Sequence, residues 1–163
     1  IQLSRQADLV VVAPATADLL AVMLPVCLIL SLAIARPNPF SFGGAQNDRF
    51  DPASPGIVRL TRHPLLLALG IWSAAHILPN GDLAHVILFG TFAGFAMLGG
   101  RLVDRRRQRE MGQRWHDLRA ALSECPASLS LTADTLLRLA AGLMLYAGLI
   151  WLHPLVIGVD PLV

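Results

Sequence analysis

Four long apolar segments, separated by polar loops, dominate the pattern of hydrophobic and polar positions along the chain. They cover approximately residues 9–35, 57–78, 83–100 and 136–152. A helix needs about 20 apolar residues to cross the ~30 Å hydrocarbon core of a bilayer, and each segment meets or approaches that length. The pattern therefore predicts an all-α, polytopic membrane helix bundle with about four transmembrane helices.

The two longer polar stretches differ in character. Residues 36–62 are rich in Pro, Gly, Asn and Asp, which predicts an irregular loop. Residues 104–122 are mostly helix formers, and they carry an apolar stripe at helical spacing made by Met111, Trp115, Leu118 and Leu122. We therefore expect one cytoplasmic amphipathic helix, which either lies on the membrane surface or forms a wall over a cavity at that face.

The composition favours a membrane protein. Hydrophobic residues make up 55% of the chain and charged residues 15%, whereas a soluble domain has about 25% charged residues. All 13 basic residues are Arg, and most of them fall in residues 36–62 and 101–131. Because basic loops stay in the cytoplasm, we expect both loops on the cytoplasmic side of a bacterial inner membrane. Membrane lipid is the expected partner, and nucleic acid is not.

The third apolar segment is rich in small residues, which are Gly90, Ala93, Gly94, Ala96, Gly99 and Gly100. Small residues allow helices in lipid to approach closely. The segment therefore either packs tightly within the chain or serves as a docking face for a membrane protein partner.

The histidines divide between the two ends of the predicted bundle. His63 precedes Pro64 at the cytoplasmic end of the second segment, and His76 lies about 20 Å further along the same helix. These two side chains cannot bind one metal. His76, His85 and His153 instead fall together near the opposite surface, where each is either an interfacial residue or a ligand, since imidazole is the commonest metal ligand.

The remaining chemistry-bearing residues favour structural roles. Cys27 and Cys125 lack metal-type spacing, so we expect free thiols. Asp18 falls near the start of a helix, where an acid suits the helix dipole. Asp134 and Arg138 are four residues apart, which predicts an ion pair at the start of the fourth segment.

Four motifs occur together in this chain: G-I-V-R-L-T-R-H-P, W-x-x-A-H-x-L-x-N-G-D-L-A, L-F-G-x-F-A-G-F-A and the terminal H-P-x-x-x-G-V-x-P. In this combination the sequence resembles the NnrU family of bacterial integral membrane proteins. The resemblance implies a link to nitrite and nitric oxide reductases in denitrification. It covers approximately residues 24–163, so we treat residues 1–23 as a separate N-terminal segment that leads into the first span.

The resemblance also implies a cofactor. The family's plant relative, ζ-carotene isomerase, is a membrane haem b protein whose iron is held by two histidines. His76 matches one of those ligands, so the resemblance implies a haem b site with His76 on the iron. The second ligand is then His85, His153 or a residue upstream of Ile1, because the chain starts without Met and we expect a longer polypeptide. The implied activity is nitrogen-oxide respiration or a redox-linked isomerisation of a lipophilic small molecule.

Two other functions stay open. The sequence shows no nucleophile–base pair or carboxylate dyad, which favours a non-catalytic membrane factor that assembles or stabilises a partner complex.

The chain is also similar to the isoprenylcysteine and phospholipid methyltransferases of membranes, through the motif R-H-P and the later stretch R-E-M-G-Q-R-W-H-D-L. That similarity implies an S-adenosylmethionine site at His63 and Glu110, beside Arg62. The chain lacks the Tyr and Gly that usually follow R-H-P, so we expect shared ancestry rather than methyl transfer.

Overall fold

The chain folds into α-helices. The structure, a computed structural model, describes residues 19–79, 82–126, 129–156 and 158. Within these residues there are five α-helices and no strand, which confirms the all-α prediction. The helices are α1 (Leu19–Ala33), α2 (Pro64–Ile77), α3 (Leu83–Met111), α4 (Gln113–Glu124) and α5 (Ala133–Val156).

Helices α1 and α5 form one antiparallel pair. A methyl group at Gly142 of α5 would lie 3.2 Å from the backbone oxygen of Cys27, so the helices approach closely at this point. Arg138 donates to the carbonyl oxygens of Ser31 at 3.1 Å and Ile34 at 2.8 Å. Ser31 lies in the last turn of α1 and Ile34 directly follows that helix, where carbonyls lack an intrahelical donor. Arg138 therefore caps the C-terminal end of α1 and joins α1 to α5.

Helices α2 and α3 form the second antiparallel pair. The small residues of α3 make this contact, because methyl groups at Gly99 and Gly100 would lie 3.3 Å from Leu66 and His63 respectively. Gly90 and Gly94 differ, since a methyl group at either would meet no described atom within 4 Å. The small-residue segment therefore serves packing at one end and is open at the other.

Two of the four predicted spans have the required length among the described residues. Helices α3 and α5, with 29 and 24 residues, are long and apolar enough to cross a membrane. The apolar helices α1 and α2 are shorter. The prediction of a span over residues 57–78 was wrong in its start, because a 3₁₀ helix covers Gly56–Arg59 and α2 begins only at Pro64. Asp18 and the rest of residues 9–18 lie outside the described residues.

The predicted amphipathic helix is two helices. Gly112 has a φ of +57°, a left-handed conformation that ends α3 at Met111 and starts α4 at Gln113. The apolar stripe packs inside the protein: Trp115 and Leu122 are only 5% and 6% exposed and cluster with Phe40 and Val58. The stripe therefore forms a wall against residues 36–62 and is not available to a membrane surface.

Residues 36–62 are irregular apart from two short 3₁₀ helices, as predicted. They contact the arginine-rich last turns of α3 and the end of α4: Arg107 donates to the carbonyl of Ser41 at 3.2 Å, and Arg59 donates to that of Cys125 at 2.6 Å. Both arginine-bearing segments consequently lie at one end of the molecule. The predicted Asp134–Arg138 ion pair forms at 3.1 Å, and Arg36 joins it through Asp134.

Candidate functional site

His76 lies in the last turn of α2, held by contacts within its own helix and from α3. Its Nδ1 donates to the carbonyl oxygen of Trp72, one turn earlier, at 2.7 Å. Its ring lies 4.9 Å from the Trp72 ring and 5.1 Å from that of Phe89, between centroids. Because Nδ1 carries the proton in this arrangement, the lone pair of the neutral ring is on Nε2.

A large apolar cavity of about 670 Å³ lies between the two helix pairs. Its walls come mostly from α1, α2 and α5, and Phe95 of α3 closes one side. The polar side-chain groups among the lining residues are few: the two imidazoles of His76 and His153, the Trp72 indole N–H, the Cys27 thiol and the Tyr146 hydroxyl. Tyr146 donates that hydroxyl to the carbonyl of Leu20 at 3.1 Å. A volume of this size is typical of small-molecule sites.

His153 lines the same cavity as His76, from the last turns of α5. His85 does not line it. The Asp82 side chain caps α3 by accepting from the backbone N–H groups of Ala84 and His85 at 3.1 Å, and it also bonds the His85 ring. The hydrogen bonds from His85 and Ala84 hold the pKa of the Asp82 carboxyl below its usual range. Of the three histidines at this end, His76 and His153 therefore share the cavity.

His63 lies at the other end of α2, in a network that the sequence did not predict. Its Nδ1 is 3.1 Å from the Ser41 hydroxyl, and its Nε2 is 3.1 Å from Asp104 of α3. Arg62 donates to the second oxygen of the same carboxylate at 2.8 Å. Burial lowers the pKa of the His63 imidazole, and the Asp104 carboxylate opposes that shift.

Asp104 was missed because it stands at the head of a run of arginines, D-R-R-R, which reads as a solvated face. The available signal was that it is the first acid after the apolar segment of α3, one turn beyond Gly100 and so on the side facing α2.

His63 and Glu110, the residues that the methyltransferase similarity implies for S-adenosylmethionine, have other partners in the structure. Glu110 bonds Arg106 at 2.7 Å and Arg107 at 3.1 Å, on its own helix. His63 bonds Ser41 and Asp104 instead, and neither Glu110 nor His63 lines the apolar cavity. The geometry gives both residues structural partners.

Metal chemistry is limited by the spacing of the ligating side chains. Among the described residues, no group of three His, Cys, Asp or Glu side chains is arranged to hold a metal ion. Cys27 and Cys125 are free thiols, as predicted. The site contains two imidazoles at the edge of an apolar cavity. Two imidazole nitrogens can serve as ligands to a cofactor that already contains a metal ion.

Fold and site together define an all-helical protein with two long apolar helices and a histidine-bearing apolar cavity. The chain matches the family model described as NnrU protein over residues 4–161, and it therefore belongs to the NnrU family. Neither a curated protein nor a solved structure matches it.

Proposed function

We propose that this NnrU family protein is a multi-pass protein of the bacterial inner membrane that binds haem b in its apolar cavity, with His76 as an iron ligand. Its role is in nitrite and nitric oxide respiration, or in a redox-linked isomerisation of a lipophilic small molecule. The observation that carries the proposal is that His76 and His153, from two different helices, line one large apolar cavity.

The donor set fits a haem. Haem iron is commonly held by imidazole nitrogens, and a ligating histidine almost always donates its other ring N–H to a carboxylate or backbone carbonyl. His76 has that arrangement, since Nδ1–H donates to Trp72 and leaves the lone pair on Nε2. His153 is the second ligand that we propose, because His85 is engaged by Asp82 and does not line the cavity.

The chain's own residues would do three things at this site. The Trp72 carbonyl fixes the His76 tautomer, and the Trp72 and Phe89 rings fix the plane of the imidazole. The apolar walls exclude water, which lowers the local polarity and so tunes a bound redox group. When bound, a haem would supply one-electron chemistry.

Three observations support the membrane part of the proposal. Helices α3 and α5 are long and apolar, and most of their surface is exposed rather than packed inside the protein. The large exposed side chains on them, such as Met97, Met144 and Trp151, need an apolar environment. The arginine-bearing segments meet at one end, as they would if both were cytoplasmic.

The absorption spectrum of the protein, purified in detergent from a haem-replete host, tests the proposal. We expect a Soret band that changes on reduction with dithionite. His76→Ala should lose it, and His153→Ala should shift or weaken it. His85→Ala is the matched control and should leave the spectrum unchanged, because His85 lies outside the cavity lining. A wild-type protein without a Soret band, or an unchanged spectrum for His76→Ala, would contradict haem binding.

One observation favours a second function, that of a non-catalytic factor that assembles or stabilises a partner complex. The Gly90 and Gly94 positions of α3 face open space among the described residues, and small residues of this kind accept a close helix in lipid. The same purification separates the two functions. A stoichiometric membrane protein partner without any cofactor would favour the assembly role.

A further inference from the structure

A second, much smaller cavity lies at the arginine-bearing end, between the G-I-V-R-L-T-R segment and α4. Its volume is about 140 Å³. Half of its lining residues are arginines, and the lining is Val58, Arg59, Arg62, Arg119, Leu122 and Ser123. We call it the arginine cavity.

The local fold brings Arg59 and Arg62 to the same side. Arg59 is the last residue of the 3₁₀ helix Gly56–Arg59, Arg62 lies in the irregular segment that follows it, and both line the cavity. Leu60, between them, is 59% exposed and does not line the cavity. The Arg59 Nε donates to the carbonyl of Cys125 at 2.6 Å, which fixes this segment against the C-terminal end of α4.

Arg119 reaches the cavity from α4 and rests on a rigid support. Its guanidinium lies 4.7 Å from the centre of the Trp115 ring, and Trp115 is buried in the cluster with Phe40 and Val58. Arg119 is itself exposed, and the attraction between its guanidinium and the ring favours this position. The ring contact of Arg119 and the hydrogen bond of Arg59 therefore place guanidinium groups on both sides of the cavity.

The charges in the arginine cavity do not balance. Asp104 pairs with Arg62 and also contacts His63. In the described part of the chain, no carboxylate forms an ion pair with Arg59 or Arg119. The C-terminal end of α4 supplies about half a negative charge. Three guanidinium groups thus face about one and a half negative charges.

The size of the arginine cavity also limits its ligand. The cavity is several times the ~30 Å³ that one water occupies in the liquid, and a single tetrahedral oxyanion fits it.

We propose that the arginine cavity binds one phosphate group. Guanidinium groups donate two parallel hydrogen bonds to phosphate oxygens, and a phosphate would neutralise the excess charge. The phosphate belongs either to an anionic phospholipid headgroup or to a free phosphate monoester. This assignment gives the two arginines of G-I-V-R-L-T-R a common role, and it does not depend on the haem proposal.

Binding to the full-length protein in detergent tests the site with two probes. Inorganic phosphate is titrated by ³¹P NMR, and dihexanoyl phosphatidic acid is titrated by the same method below its micelle concentration. We expect Arg119→Gln to weaken binding by about tenfold, the loss typical of one charge-assisted contact. Arg114→Gln is the matched control, since Arg114 is on the same helix, carries the same charge, is exposed and does not line the cavity.

A second variant guards against a folding defect. Ser123 lines the cavity at an exposed position of α4, so Ser123→Glu places a carboxylate among the arginines. We expect that variant to lose phosphate binding and to melt at a higher temperature than the wild type.

The relative affinity for the two probes identifies the source of the phosphate. Lipid that binds at least tenfold tighter than inorganic phosphate assigns the headgroup as ligand, and equal binding assigns a free phosphate. The proposal is overturned if the wild type binds neither probe at millimolar concentration. It is also overturned if Arg114→Gln weakens binding as much as Arg119→Gln, or if Ser123→Glu still binds.

Discussion

His63 shows how one residue depends on its surroundings. The sequence places it before Pro64, at the start of a helix, and does not indicate that Ser41 and Asp104 are its partners. In the structure it contacts Ser41, which is fully buried, and Asp104, which belongs to another helix. Two arginines bond to the partners of His63: Arg62 donates to Asp104, and Arg107 donates to the Ser41 carbonyl. The imidazole is therefore half-buried between an acid and a hydroxyl.

This environment predicts a pH dependence of stability. Burial lowers the pKa of His63 in the folded protein, so the unfolded chain binds a proton there at a higher pH than the folded chain does. The stabilising contribution is present above about pH 6.5 and is lost as the pH falls from there through the lowered pKa. Thermal melts between pH 7.5 and 5.5 should show a falling midpoint in the wild type, and a smaller fall in His63→Gln.

His116→Gln is the control for that measurement. His116 is exposed and contacts Gln108 rather than the partners of His63, so this variant controls for the loss of a histidine outside the His63 network. If His63→Gln retained the full wild-type slope, another group would be responsible for it.

At the scale of single residues, the sequence singles out His76 for a simple reason. An imidazole inside a long apolar segment is costly unless it has a role. The sequence could not show that His153 lines the same cavity, because the number of residues between His76 and His153 does not give the distance between their side chains. Nor could it show the acceptor for Nδ1, since the Trp72 carbonyl has no signature of its own.

Among the elements, the α1–α5 pair offers the sharpest test of packing. A methyl group at Gly142 would lie 2.5 Å from the Ser31 hydroxyl oxygen and 3.0 Å from Leu28. Gly142→Ala should therefore reduce the free energy of unfolding by about 1–3 kcal/mol, the usual effect of overpacking. Thermal or denaturant unfolding in detergent measures it.

Gly148 on the same helix provides the matched control. A methyl group there meets no described atom within 4 Å. Gly148→Ala should be neutral or stabilising by up to about 1 kcal/mol, because Ala favours a helix over Gly. Equal effects of the two substitutions would show that α1 and α5 are not in close contact.

The helices themselves could be predicted from hydrophobic periodicity, but their ends could not. The apolar residues from Met111 to Leu122 keep the spacing of a single continuous helix. Gly112 nevertheless adopts a left-handed conformation, which divides that stretch between two helices. Nothing in the local pattern distinguishes this glycine from one tolerated inside a helix. Similarly, the apolar residues before Pro64 continue the pattern of α2, although Gly56–Arg59 is a 3₁₀ helix.

Helix lengths matter for the molecule as a whole. The 29 residues of α3 extend for about 44 Å, which exceeds the ~30 Å of a bilayer core. Its arginine-rich last turns therefore project beyond the apolar part and meet residues 36–62. The 14 residues of α2 extend for only about 21 Å. A crossing by α2 requires local thinning of the bilayer, which is tolerated at modest cost.

The proposed membrane topology predicts which residues can be labelled from the periplasmic side. In the proposed topology, residues 36–62 and 101–131 are cytoplasmic, and the turn after α2 faces the periplasm. Single cysteines are introduced at Ser54, Leu78 and Gln113 after Cys27 and Cys125 are replaced by Ser. All three positions are exposed, and Leu78 is 85% exposed. A membrane-impermeant maleimide should label Leu78→Cys in intact spheroplasts, and the other two only after permeabilisation. If Leu78→Cys were instead protected like Ser54→Cys, α2 would not cross the membrane, and the four-span topology would have to be replaced by one built on α3 and α5.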